Sequence, residues 1–83
     1  MSTSVVLDPQ PRRVNWRLQR ERTEVEAAIL LVAGSTHYRV LLCGLQYGGR
    51  LAASCAGRAA AGGVLLETVP RDGHGIDIRV RRA

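Results

Sequence analysis

From Ile76 to Arg82 the chain alternates without a break, with Ile76, Ile78 and Val80 on one side and Asp77, Arg79 and Arg81 on the other. Successive side chains of a strand point to opposite faces, so this segment must lie between an apolar core and solvent. The residues before it, Pro70-Arg71-Asp72-Gly73-His74-Gly75, contain an Asp-Gly step and two glycines, a turn composition. Val64 to Val69 reads as the strand on the other side of that turn. A β-hairpin over 64–82 is therefore the firmest expectation, and a lone hairpin is marginal in water unless something covers its apolar face.

The nearest cover is the segment 50–61, Arg50-Leu51-Ala52-Ala53-Ser54-Cys55-Ala56-Gly57-Arg58-Ala59-Ala60-Ala61, closed by Gly62-Gly63. Alanine is the strongest helix former and glycine a common helix stop. Leu51, Cys55 and Ala59 share one stripe at four-residue spacing. They predict a short helix with a small inner face, laid close against a sheet.

The first half of the chain is less determined. In 13–20, Val14, Trp16 and Leu18 alternate with Arg13, Asn15, Arg17 and Gln19, which predicts a half-buried strand anchored by Trp16. Between 24 and 33 two readings compete. Thr23 and Glu26 match a capping box opening a helix that Gly34 would end. The run 27–33 is apolar on every side, which also suits a strand covered on both faces. With Gly34-Ser35-Thr36 as a turn and 37–45 as a strand, a hairpin of 24–33 on 37–45 is the preferred reading, and the helix is the alternative.

The expected fold is thus α+β: a small two-layer domain, mainly antiparallel sheet, with one short helix (50–61) packed on one face. Residues 1–12, with Pro9 and Pro11, read as an N-terminal arm, and 13–83 as a single domain. A chain of 83 residues is too short for two domains and builds only a thin core.

Charge narrows the function. All twelve basic residues are arginine, against seven acids, for a net charge of +5. The excess is spread along the chain. If 13–19 and 76–82 share a sheet, Arg13, Arg17, Arg79 and Arg81 form a basic face, which Arg12 and the terminal Arg82 extend. Such a face would contact phosphates, with hydrogen bonds added by Asn15 and Gln19. With Trp16 on the apolar side, only Tyr38 and Tyr47 remain for base stacking, so phosphate contact is favoured over stacking. Arginine choice in a chain without lysine also reflects composition, and a solvated sheet face is the plainer explanation.

Other chemistries are poorly supplied. Cys43, Cys55 and Ser54 are candidate nucleophiles, His37 and His74 candidate bases, and Asp72 and Asp77 candidate orienting groups. None sits in a motif that brings a triad together. His37, Cys43, Cys55 and His74 lack the close spacing of a zinc site. Gly44-Leu45-Gln46-Tyr47-Gly48-Gly49-Arg50 leads into the expected helix and could cradle an anion with Arg50, although the Lys-Ser or Lys-Thr of a nucleotide-binding loop is missing. No catalytic site, metal or cofactor is therefore expected. The apolar run 27–33 falls short of a membrane span, the first residues lack a signal-peptide pattern, and a cytoplasmic location is the default.

The expectation is a non-enzymatic interaction or regulatory protein. It would self-associate through the apolar run 27–33 and the alanine-rich helix, or meet an acidic protein on its arginines. Nucleic-acid binding through the arginine face is the alternative.

Overall fold

The computed structural model describes residues 14–35, 38–73 and 75–83. Five elements follow in order: α1 (Trp16–Ala33), β1 (Val40–Leu45), α2 (Gly48–Ala61), β2 (Val64–Pro70) and β3 (Ile76–Arg82).

α1 overturns two expectations at once: neither the strand over 13–20 nor the hairpin of 24–33 on 37–45 forms. The protein is α+β with two helices, not one, on a three-stranded antiparallel sheet. The physical reason lies in the cap and the period. Asn15 takes an extended conformation, and its Oδ1 accepts a hydrogen bond from the Leu18 amide at 3.0 Å, satisfying one of the free N–H groups of the first turn. Beyond it Glu21, Val25, Ala28, Ile29 and Val32 are buried, a three-and-four spacing that overrides the short alternation of Val14, Trp16 and Leu18. Thr23 and Glu26 do not open a helix. The Thr23 hydroxyl donates to the Gln19 carbonyl one turn back, and Glu26 pairs with Arg58 at 2.8 Å. The run 27–33 is apolar all round because it has two destinations. Ala28, Ile29 and Val32 enter the core, while Ala27, Leu30 and Leu31 face outward.

The strand order is β1-β3-β2, with β3 antiparallel to both neighbours. The turn after Pro70 makes β2 and β3 a hairpin in the register Val64↔Arg82 through Pro70↔Ile76. β1 pairs from Val40↔Val80 to Leu42↔Ile78, then shifts by one residue so that Leu45 meets Ile76. The extra residue is a bulge. It lets both Leu42 and Leu45 face the core, and the freed Gly44 amide is satisfied by Asp77 Oδ1 at 2.8 Å.

Both helices lie on one face of the sheet. Val25, Ile29 and Val32 of α1, Leu51, Cys55 and Ala59 of α2, and Leu45, Val64, Ile78 and Val80 of the sheet form one buried cluster. Full burial of each aliphatic side chain stabilises by about 1.5–3 kcal/mol. α2 lies close because its inner positions are small. A Cβ on Gly48 would stand 3.0 Å from Ile76 Cβ.

Candidate functional site

With both helices on one side, no described element covers the other face of the sheet. Pairing fixes what it carries. Leu41 stands opposite Arg79, which stands opposite Glu67; Leu65 stands opposite Arg81. These residues alternate with the buried Val64, Ile78 and Val80 and the partly buried Val40 and Leu66, so they point away from the helices. Arg39, just before β1, lines the same shallow depression with Tyr38, Leu41, Glu67, Arg79 and Arg81. Arg79 Nη1 lies 3.6 Å from Glu67 Oε1, both exposed, a geometry worth little in water. Among the described residues Arg39 and Arg81 have no ionic partner.

The expected arginine face is therefore only partly assembled. Arg79 and Arg81 share it. Arg17 does not: it lies on α1, with Nη1 3.7 Å from Glu21 Oε2. Arg13 lies outside the described residues, as does Arg12. Arg82 falls on the opposite side of the strand from Arg79 and Arg81, in register with the buried Val64. Its Nη1 donates to the carbonyls of Ala33 at 2.9 Å and Val32 at 3.3 Å. A cation on the last carbonyls of a helix satisfies orphan acceptors and opposes the negative end of the dipole. This tie is structural: Arg82→Ala should lower stability by about 1 kcal/mol in urea denaturation. Arg39 was missed in the sequence because its neighbourhood in the expected strand 37–45 shows no alternation.

The anion cradle before α2 is already filled from within. Glu21, 2% exposed, projects from α1 so that its carboxylate accepts hydrogen bonds from the amides of Gln46 at 2.9 Å and Tyr47 at 2.8 Å. A carboxylate on free amides at a helix N-terminus is well placed for the dipole too. Arg50 is exposed beside this turn and pairs with no carboxylate among the described residues. Tyr47 adds a second tie to α1, its hydroxyl accepting from Asn15 Nδ2 at 2.7 Å. The other expected aromatic arrangement is reversed. Trp16 faces solvent and Tyr47 is partly buried, while Tyr38 is exposed as expected.

The scattered nucleophiles stay scattered. Cys43 is exposed and Cys55 buried, both free, and the Ser54 hydroxyl lies 3.2 Å from the Leu51 carbonyl. His37 and His74 lie outside the described residues. Asp77 is committed to the Gly44 amide and to Arg71, 3.7 Å away. Among the described residues no three or more His, Cys, Asp or Glu side chains gather as metal ligands, and no helix is long and apolar enough to cross a membrane.

Comparison of the chain with protein-family models, with curated proteins and with solved structures finds no match.

Proposed function

We propose that this is a non-enzymatic interaction protein that receives an acidic protein segment on its uncovered sheet face. One observation carries the reading: Arg39, Arg79 and Arg81 are interleaved there with exposed Leu41 and Leu65. Arginine and aromatic side chains beside apolar ones are the mixture enriched at protein interfaces, where guanidinium groups fork onto carboxylates and leucines lose water. A nucleic-acid backbone would use the arginines and leave both leucines wet.

The test uses two probes, an acidic peptide containing leucine and labelled oligonucleotides, single-stranded and duplex. Each is titrated into isotope-labelled protein at about 50 and about 200 mM salt. The peptide should perturb the amides of β1 and β3 around Arg39, Leu41, Arg79 and Arg81. Arg79→Glu with Arg81→Glu should weaken it by about tenfold or more, and Leu41→Ser should weaken it without changing the salt dependence. Oligonucleotide binding on the same amides, with no response to the peptide, would replace the reading by nucleic-acid binding. Silence with both probes would remove the sheet face as a binding surface.

A further inference from the structure

Among the described residues nothing covers the outward face of α1, and the two ends of its exposed stripe are apolar. Trp16, Arg20, Thr23, Ala27 and Leu30 recur at steps of four, three, four and three, the spacing of a coiled-coil seam. Leu31 borders Leu30. Trp16 is 76% exposed, Leu30 73% and Leu31 55%. These are the large apolar side chains of α1 that the core does not use. They stand at the two ends of the stripe, with small Thr23 and Ala27 between.

We infer that a second copy of this chain covers this face, the two α1 helices pairing antiparallel about a two-fold axis at Thr23. Trp16 and Leu30 each lie seven residues from Thr23 (23−16 and 30−23), roughly 10 Å along the helix at 1.5 Å per residue. Reversal about Thr23 therefore lays Trp16 of each copy on Leu30 and Leu31 of the other. The two small residues allow the axes to approach to about 8–10 Å. The charges agree with the apolar ends. Arg20 lies in the stripe and Glu24 borders it on that side, and neither has an ionic partner among the described residues. The same rotation sets Arg20 of each copy within reach of Glu24 of the other, giving two reciprocal pairs. An isologous patch of this kind must be complementary to itself, and an acidic or basic foreign helix would satisfy only half of it. The inference is independent of the sheet-face reading, because the two surfaces are on opposite sides of the molecule.

Sedimentation of the full chain across a concentration series should give a dimer that dissociates on dilution. Leu30→Glu with Leu31→Glu should give a monomer that keeps the wild-type circular dichroism. Trp16 is the single tryptophan, so it reports the seam directly. Its emission should shift to the blue and resist acrylamide quenching as dimer forms, and neither change should occur in the double glutamate variant. In a Cys43→Ser background, Thr23→Cys should cross-link to a dimer under mild oxidation. Arg20→Glu alone should weaken the dimer by about tenfold, and Arg20→Glu with Glu24→Arg should recover it. A monomer at every concentration overturns the inference. So does a dimer in which Trp16 stays open to quencher and Thr23→Cys fails to cross-link.

Discussion

Glu21→Ala should lower stability by roughly 3 kcal/mol, a fall of about 15 °C in Tm for a domain of this size. The Glu21 carboxylate accepts two hydrogen bonds from the Gln46 and Tyr47 amides. These amides stand where β1 hands over to α2, and both belong to a partly buried turn. Without the carboxylate they lose charge-assisted partners in a place where water cannot fully replace them. The side chain also joins α1 to α2, so the two helices lose a shared anchor. Glu21→Gln should recover less than half of the loss. It keeps one acceptor oxygen, but its amide nitrogen would meet the second N–H donor to donor. Urea and thermal unfolding of the three proteins measure this. A cost below about 1 kcal/mol for the alanine variant would show that the turn holds without the carboxylate.

Gly75→Ala should cost a comparable amount, roughly 3 kcal/mol. Gly75 has φ of +82°, a region that L side chains avoid. A Cβ there would also stand 2.8 Å from the carbonyl carbon of Gly44 and 3.0 Å from its Cα and oxygen. Those are backbone atoms of the bulge in β1, which cannot swing aside as a side chain would. Substitution therefore forces the β2–β3 turn and the bulge apart, and the Asp77 bond to the Gly44 amide with them. Gly57→Ala is the opposing control. Gly57 lies inside α2, with nothing within 4 Å of a Cβ, and alanine there should stabilise by about 1 kcal/mol. If both substitutions destabilise equally, the close approach of Gly75 to Gly44 is not what makes position 75 sensitive.

What could be read from the sequence was the part whose pattern has a single explanation. β3 alternates over its whole length, β2 precedes a turn of Asp and Gly, and the alanines of α2 end in paired glycines. α1 was misread for two physical reasons. Its cap, Asn15, sits inside an apparent alternation of Val14, Trp16 and Leu18, too short to outweigh the three-and-four spacing that follows. Its apolar run carries an extra outward-facing pair, Leu30 and Leu31, which hides the period of the inward face. The same error moved Arg17 from the sheet to a helix and Trp16 from the core to the surface. Of the candidate basic face, Arg79 and Arg81 were legible from their alternation. Arg82 was not, because the even positions of β3 are inward and only the tertiary fold brings the end of α1 to it. The role of Glu21 was invisible for a similar reason. A lone glutamate in a charged segment looks solvated until a turn some 25 residues later brings two amides to it.

The place of β3 in the sheet has a consequence for the order in which the molecule can be made. It is the middle strand and also the last of the three in the chain. Growing from the ribosome, Val40–Leu45 and Val64–Pro70 emerge before the strand that pairs with both of them. Until Ile76–Arg82 appears, both helices can form locally, but their inner faces have no sheet to close against. From the synthesis of Val64–Pro70 until that of Ile76–Arg82 the nascent chain therefore carries two unpaired apolar strands, the condition under which chains associate wrongly. The sheet then closes in one step, with the strand that bridges the other two.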